Sequence, residues 1–252
     1  MNILITGASS GIGAALAAEY AKPEITLILL GRDLTRLGQI ENLCRMEGAI
    51  VKIASIDVRD KQAMADFIQK ADDETPIDLV IANAGISTGS FAGNETLEAA
   101  EAVFDINVNG VINTIHPLIE RMAARKRGHI AIMSSLAGIR ALPSAPAYSA
   151  SKAAVRVYGD ALRGKLKADN VMVSVICPGW ITTPLTARNH FPMPFIMPAP
   201  RAAARIIHSL ARKKSRIAFP RRLYVPLRLL DALPIFVSDP IFARMLGEAR
   251  KT

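Results

Sequence analysis

Apolar runs that alternate with helical patterns constrain the fold of this chain more than any other feature. The runs are rich in Val, Ile and Leu and lie at 2–6, 25–30, 49–57, 77–85, 128–135, 171–179 and 216–220. Runs this continuous are typical of parallel strands that are covered on both faces. Because stretches with helical spacing separate them, the sequence predicts a doubly wound α/β fold.

A glycine-rich turn, "TGASSGIG" (6–13), follows the first strand and opens the first helix. Gly7, Gly11 and Gly13 permit a tight turn and bring backbone N–H groups close to a pyrophosphate at the helix N-terminus. Turns use glycine in many proteins, but this position between strand and helix favours a dinucleotide site. The spacing departs from the G-x-G-x-x-G of ordinary dinucleotide-binding domains.

The second strand ends in "LLGRD" (29–33), where an acidic residue would bind the adenosine ribose of NAD. Gly31 occupies that place and Arg32 follows it, and a guanidinium there can pair with the 2′-phosphate of NADP. Asp33 complicates this interpretation, although it also suits the N-cap of the next helix. We therefore expect NADP(H) to be preferred, with NADH or NAD as the alternative cofactor.

The stretch "AYSASK" (147–152) places Tyr148 one helical turn before Lys152. Such a pair usually has no function, but a nearby cation would lower the pKa of the phenol and suit it to acid–base catalysis. Ser135 lies thirteen residues before Tyr148, at the end of the fifth strand. Its hydroxyl could donate a hydrogen bond to a substrate oxygen, and Ser134 is its rival for this role.

Six short motifs occur in the order that is typical of one family: "TGASSGIG" (6–13), "NAG" (83–85), Asn107 in "INVNG", Ser135 in "SSLAG", "YSASK" (148–152) and "PG" (178–179). Over about residues 1–183 the chain resembles the short-chain dehydrogenase/reductase family. The resemblance implies a Rossmann-like parallel sheet of about seven strands and hydride transfer to or from a nicotinamide.

The same resemblance implies a role for each member of a catalytic tetrad. Tyr148 would be the acid/base, Lys152 its activator, and Ser135 the donor to the substrate oxygen. Asn107 would hold a water that links Lys152 to bulk solvent, and the family pattern selects it over Asn109.

The resemblance also implies a set of cofactor contacts. Asp57 and Val58 would flank the adenine, Asn83 would brace the central sheet, and Ile181 and Thr182 would contact the carboxamide. The full predicted set is Gly7, Ser9, Ser10, Gly11, Ile12, Gly13, Arg32, Asp57, Val58, Asn83, Ala84, Gly85, Tyr148, Lys152, Pro178, Gly179, Ile181 and Thr182.

The sequence changes character towards its C-terminus. We predict a Rossmann-fold catalytic domain over 1–218, in which the proline-rich segment 184–200 covers the substrate or merely connects elements. A basic, apolar helical extension would follow over 219–252, with Pro226 opening a helix and Pro234 ending it. Leu223, Leu227 and Leu230 would line one face of that helix.

The formal net charge of +9 lies entirely within residues 201–252, where twelve Lys or Arg accompany three acids. The extension could pack on the domain or on a second subunit, or it could rest on an anionic membrane. The chain lacks the interleaved basic and aromatic residues or motifs of nucleic-acid binding, so we expect no nucleic-acid partner. We expect a homodimer or homotetramer.

The remaining composition excludes several classes of site. Cys44 and Cys177 match no metal spacing and suit a reducing compartment, so we expect core cysteines and no metal. The sequence has no leader pattern and no run of apolar residues long enough to span a membrane. We therefore expect a cytoplasmic protein, with peripheral membrane contact through 219–252 as an option.

These observations predict an NAD(P)-dependent oxidoreductase that reduces a carbonyl or oxidises a secondary alcohol of a small molecule. The apolar segment 184–200 suggests a hydrophobic substrate. One alternative is a 3-oxoacyl-thioester reductase. Another is a non-catalytic, NAD(P)-sensing scaffold on the same fold.

Overall fold

Seven parallel strands form one sheet in the computed structural model, which describes residues 1–87, 95–189 and 193–247. In chain order the strands of the molecule are β1 (Asn2–Thr6), β2 (Thr26–Gly31), β3 (Ile50–Ser55), β4 (Leu79–Ala82), β5 (Gly128–Met133), β6 (Val171–Pro178), β7 (Ile181–Thr182), β8 (Met197–Pro198) and β9 (Arg216–Phe219). The order across the sheet is β3-β2-β1-β4-β5-β6-β9, which confirms the predicted doubly wound, Rossmann-like fold.

Helices cover both faces of this sheet. They are α1 (Gly11–Tyr20), α2 (Leu34–Met46), α3 (Lys61–Glu74), α4 (Leu97–Phe104), α5 (Gly110–Ala124), α6 (Pro146–Lys165), α7 (Ala199–Ala211), α8 (Arg221–Asp231) and α9 (Ile235–Gly247). Buried residues of α1, α2 and α7 form one core with the sheet, and those of α3, α5 and α6 form a second. Ile3 and Ile5 of β1 face the first core while Leu4 faces the second, as the alternation of a strand requires.

The direction in which the chain adds strands reverses at β1. The first three strands extend the sheet to one side, and β4 then pairs with the other edge of β1. The crevice outside the carboxyl ends of strands at such a reversal is where ligands bind in open α/β sheets. The glycine-rich turn follows β1 and "NAG" follows β4, so both motifs lie at this crevice.

The helical stretch that the sequence predicts over about 95–125 is interrupted in the structure. A π-helical turn, Asp105–Asn109, separates α4 from α5 and carries Asn107, whose side chain is completely buried. Such turns occur at functional sites in many proteins.

A short parallel ribbon lies at the two ends of the proline-rich segment 184–200. Ile181 pairs with Met197 and Thr182 with Pro198, so β7 and β8 hold the two ends of the segment together. Residues 190–192 of this predicted segment and residues 248–252 of the predicted extension lie outside the described residues. The division at 218 stays a prediction.

The first C-terminal helix begins earlier than the sequence predicts. The prediction that Pro226 opens it is wrong, because α8 starts at Arg221 and Pro226 lies inside it. Leu223, Tyr224 and Leu227 pack against the core there, and this burial outweighs the hydrogen bond that proline removes. Helix α8 ends before Pro234, as predicted.

None of the described helices combines the length and the apolar character that a membrane-spanning helix needs.

Candidate active site

The carboxyl ends of the central strands open into a cleft of about 800 Å³. This volume suits an extended small-molecule ligand. Most of the predicted site residues line the cleft, from Gly7 after β1 to Ile181 in β7. Gly13, Asn107 and Thr182 are not among the described residues that line it, and each has a different structural position.

The glycine-rich turn wraps around the cleft end of α1. Gly7 has a φ of +66°, which favours glycine, and a side chain there would meet the backbone of Ala84 at 2.8 Å. Ser10 is the N-cap of α1, yet its side chain makes no capping hydrogen bond. The backbone N–H groups in the first turn of α1 therefore receive no partner from this side chain. Such N–H groups can donate hydrogen bonds to a phosphate. The turn fits a dinucleotide pyrophosphate.

Asn83 braces this turn against β4. Its side-chain amide donates to the carbonyl oxygens of Thr6 at 3.0 Å and Gly7 at 3.3 Å. The hydroxyl of Thr6 in turn accepts from the backbone N–H groups of Asn83 and Ala84. Gly13 allows Asn83 to pack closely against the turn, because a Cβ on residue 13 would lie 2.7 Å from the Asn83 amide nitrogen.

Arginine side chains surround the end of β2, where the adenosine ribose is expected. Asp33 accepts a hydrogen bond from the Arg36 N–H at 2.9 Å, which confirms it as the N-cap of α2. Its carboxylate also pairs with the Arg36 guanidinium at 3.1 Å. Asp57 pairs with Arg59 at 2.7 Å. Within the described chain Arg32 forms no salt bridge, and it lines the cleft as an exposed cation.

Arg59 holds the pKa of the Asp57 carboxyl below its ordinary value, mainly through their side-chain hydrogen bond, and the charge of Arg32 contributes in the same direction. Asp57 is therefore ionised at neutral pH and already paired. Among the described residues that line this end of the cleft, Arg32 is the arginine without a salt bridge, so it is the better placed to pair with a ligand phosphate.

Ser135, Tyr148 and Lys152 meet at the centre of the cleft. The Ser135 hydroxyl accepts a hydrogen bond from the Ala137 N–H at 3.1 Å and lies near enough to Tyr148 to influence its pKa, and both side chains line the cleft. The hydroxyl of the rival Ser134 instead donates to the backbone oxygen of Lys152 at 2.7 Å, in a buried position. The geometry therefore favours Ser135 as the serine that faces a substrate oxygen.

Lys152 is buried one turn beyond Tyr148 on α6. Its Nζ donates to the Met133 carbonyl at 3.0 Å and lies 5.8 Å from the centroid of the Tyr148 ring. Burial lowers the pKa of Lys152 to about 8. At neutral pH the ammonium form still predominates, and it exchanges its proton more readily than an exposed lysine does.

The pKa of Tyr148 shifts in the direction opposite to the prediction. Burial raises it above its ordinary value, and the hydrogen bond with Ser135 opposes this shift only partly. The sequence argument considered the charge of Lys152 and not the loss of hydration, which disfavours the phenolate. At neutral pH Tyr148 is therefore the protonated form, which is a proton donor.

Asn107 lies behind the cleft and joins two elements. Its amide oxygen accepts from the N–H of Ile86 at 2.8 Å, and its amide nitrogen donates to Ile86 O and to Ser151 Oγ at 2.9 and 3.0 Å. A Cβ on Gly85 would lie 3.1 Å from both Asn107 Oδ1 and Lys152 Nζ. These two polar atoms therefore lie on either side of Gly85 and close to each other. The alternative, Asn109, pairs with Asp105 in an exposed position.

The segment after β6 closes the cleft at the expected nicotinamide end. Pro178, Gly179 and Ile181 line the cleft, while Thr182 is exposed and outside it. Thr183 lines the cleft in its place. Thr183 follows β7, and its side chain lies beside the glycine-rich turn, 3.3 Å from where a Cβ on Gly11 would be.

Comparison with known proteins identifies the family. The sequence matches the family described as short chain dehydrogenase over residues 1–191. The chain belongs to this family. A curated oxidoreductase of Myxococcus xanthus without a characterised activity is 36% identical to this short-chain dehydrogenase over 240 residues, 95% of this chain and 93% of the relative. The ketoacyl reductase HetN of a Nostoc species is 33% identical over 181 residues, 71% of this chain and 63% of the relative.

Solved structures agree in fold. A short-chain dehydrogenase/reductase of Burkholderia phymatum in complex with NAD superposes with a TM-score of 0.82 at 24% identity, covering 90% of this chain and 92% of the other. A short-chain dehydrogenase of Sphingobium yanoikuyae in complex with NADPH gives 0.80 at 22% identity, covering 100% and 96%. As a family member, this short-chain dehydrogenase is an NAD(P)-dependent dehydrogenase or reductase.

Several cleft residues of this short-chain dehydrogenase were not predicted from the sequence, although Leu223 and Leu227 were expected on one face of the C-terminal helix. The expected substrate end is largely apolar and is lined by Ile86, Leu136, Leu142, Leu185, Leu223, Leu227 and Phe242. Arg140 lines it as well, forms a salt bridge with Asp239 of α9, and lies over the ring of Phe242 at 5.2 Å. These partners are about a hundred residues apart, so no local pattern could have indicated them.

Proposed function

We propose that this chain is an NADP(H)-preferring oxidoreductase that reduces a carbonyl, or oxidises a secondary alcohol, on an apolar small molecule. One observation carries the proposal: Ser135 and Tyr148 line the same cleft, and the Nζ of buried Lys152 lies 5.8 Å from the centroid of the Tyr148 ring. This is the arrangement that donating a proton to a carbonyl oxygen requires.

A bound nicotinamide supplies the hydride in reduction and accepts it in oxidation. The fit of the glycine-rich turn to a pyrophosphate supports a dinucleotide in the cleft. Arg32 supports a preference for the 2′-phosphate of NADP(H), because a guanidinium pairs well with a phosphate.

The proton is handled by residues of this chain. In reduction, Ser135 donates a hydrogen bond to the substrate oxygen and Tyr148 transfers its phenolic proton there, so that the carbonyl becomes an alcohol. The phenolate is then reprotonated from solvent, with Lys152 stabilising its charge and passing on the proton. We propose Asn107 as the residue that positions this relay.

The protonation state of Tyr148 determines which proton transfer it can perform. Reduction uses the protonated phenol, which predominates at neutral pH. Oxidation needs the phenolate, so we propose that the rate of oxidation increases with pH.

The test is a comparison of two tyrosines on one helix. Tyr148→Phe removes the proposed acid, and we expect its NADPH-dependent carbonyl reduction to fall by about a thousandfold, as loss of a general acid implies. Tyr158→Phe is the matched control, because Tyr158 lies on α6 against the core and outside the described cleft lining. Tyr158→Phe should bind NADPH like the wild type, and Tyr148→Phe should still bind it, as measured by fluorescence titration.

Full activity in Tyr148→Phe would refute the mechanism. The substrate panel should contain apolar ketones and aldehydes, with NADPH and NADH compared for each. Tight NADPH binding without turnover of any member would instead support the non-catalytic sensing scaffold.

A second candidate is reduction of a 3-oxoacyl thioester. The relative HetN, which is named a ketoacyl reductase, favours it, and so does Arg140, which places a cation at the substrate end of the cleft. Adding a 3-oxoacyl-coenzyme A to the panel separates the candidates. A kcat/KM at least about tenfold above that of a simple ketone, equivalent to about 1.4 kcal/mol, would favour the thioester.

A further inference from the structure

The two C-terminal helices expose a set of large apolar side chains to solvent. We call this set the outer face of α8 and α9; it consists of Val225, Leu229, Leu233, Ile235, Phe236, Val237 and Ile241. Phe236 is 80% exposed, Ile235 72% and Leu229 65%. Single exposed apolar residues are normal on a protein surface, but several on one short segment mark an interaction site.

Packing within the chain does not explain the outer face. Leu223 and Leu227 of α8 pack towards the core and line the cleft, and Leu230 is buried. Over residues 235–242 of α9, for which burial is described, Ser238 and Phe242 are the buried side chains. Each helix thus already has an inner face that binds it to the domain, and a helix on a protein surface needs only one such face.

Basic side chains lie beside the outer face. Arg221 and Arg222 are exposed in the first turn of α8, and helical spacing places them one turn before Val225. The described acidic residues of the two helices are already paired: Asp231 with Arg228, and Asp239 with Arg140. The charge that remains for a partner is positive.

We propose that the outer face of α8 and α9 docks on an anionic lipid surface. Exposed apolar side chains flanked by arginines are the composition with which interfacial helices bind such membranes. A second copy of this chain fits less well, because a two-fold interface places like patches together. It would bring the arginines of both copies into one interface whose described acids are already paired.

The docked surface would lie next to the substrate end of the cleft, since α8 and α9 also contribute Leu223, Leu227 and Phe242 to its lining. This consequence rests on the proposed function: an apolar carbonyl dissolved in the bilayer would reach the cleft without crossing water. The docking itself does not depend on the reaction.

The experiment is co-sedimentation of the full chain with vesicles of phosphatidylcholine alone, or of phosphatidylcholine mixed with phosphatidylglycerol. We expect binding to the anionic vesicles, with much less to the neutral ones. Ile235→Ser/Phe236→Ser should reduce the partition coefficient by roughly tenfold or more, because two large apolar side chains are lost. Arg221→Gln/Arg222→Gln should reduce it by roughly tenfold or more, on anionic vesicles only.

Met46→Ser is the matched control, since Met46 is equally exposed on α2, and it should bind like the wild type. NADPH oxidation with a water-soluble ketone and the melting temperature should be unchanged in both double variants, which separates loss of docking from loss of function or fold. Equal sedimentation with neutral and anionic vesicles, or with neither, would overturn the proposal. So would a wild-type dimer in light scattering that Ile235→Ser/Phe236→Ser converts to a monomer without any vesicle binding.

Discussion

At the scale of single residues, the spacing of Ser135, Tyr148 and Lys152 in the sequence already indicated one chemical unit. The structure adds which atoms face each other: Ser135 contacts Tyr148, while Ser134 is used by the backbone of Lys152. It also reverses the expected shift of the Tyr148 pKa. Burial depends on neighbours far away in the chain, so the sign of that shift could not be obtained from the motif.

Arg32 carries the proposed preference for NADP(H). We expect Arg32→Ser to raise the KM for NADPH by about tenfold or more, because a charge-assisted contact with the 2′-phosphate is lost. The KM for NADH, which lacks this phosphate, should stay within about twofold of the wild type. Steady-state kinetics with both cofactors measures this difference.

Arg212→Ser is the control for Arg32→Ser, since Arg212 is an exposed arginine just beyond α7 and outside the cleft lining. An equal loss with NADPH and NADH in Arg32→Ser would contradict a 2′-phosphate contact. Arg36→Ser shows whether the second guanidinium of the cleft contributes.

At the scale of elements, the strands were predicted well because each is a continuous apolar run that is buried on both faces. The helices between them were predicted less well. The stretch 95–125 has the periodicity of one helix, and nothing in it indicates the π-helical turn that carries Asn107. That turn is accompanied by contacts of Asn107 with Ile86 and Ser151, which belong to other segments.

The first turn of α1 depends on a glycine that packs and does not line the cleft. Gly13→Ala would push a methyl group into the carbonyl oxygen of Gly7 and to within 2.7 Å of the Asn83 amide. We expect a loss of about 1–3 kcal/mol in the free energy of unfolding, as overpacking implies. Urea denaturation measures it.

Gly38→Ala is the matched control on α2, because a Cβ there would meet nothing within 4 Å. This substitution should stabilise the protein by about 0.5–1 kcal/mol, since alanine favours a helix over glycine. If the two variants had the same stability, the packing role of Gly13 would be wrong.

At the scale of the whole molecule, a partly buried histidine links stability to pH. Burial lowers the pKa of His129 to about 4, with a smaller contribution from the charge of Lys213, and its Nε2 shares a 2.8 Å hydrogen bond with Ser174. Between about pH 4 and its ordinary pKa of about 6.5, the unfolded chain binds the proton and the folded chain does not. Stability should therefore fall as pH decreases through this window.

We expect this residue alone to cost on the order of 2 kcal/mol between about pH 7 and about pH 4.5. His129→Gln should remove that part of the pH dependence even if its stability at neutral pH is lower. His208→Gln, at an exposed histidine of α7, should leave the dependence unchanged. Urea unfolding of the wild type and both variants at the two pH values measures this dependence. If His129→Gln left the pH dependence of stability unaltered, His129 would not be its source.

The sequence by itself determined the fold of this protein and predicted its chemical centre, because both depend on local patterns: apolar runs, a glycine-rich turn, and a tyrosine one turn before a lysine. Tertiary structure alone decided that Thr183 lines the cleft instead of Thr182, that Gly13 packs against Asn83, and that Arg140 pairs with Asp239. It also decided that α8 and α9 border the substrate end while exposing a second apolar face. These features depend on the packing of segments that are distant in the chain, and burial against a distant segment has no counterpart in any local stretch of sequence.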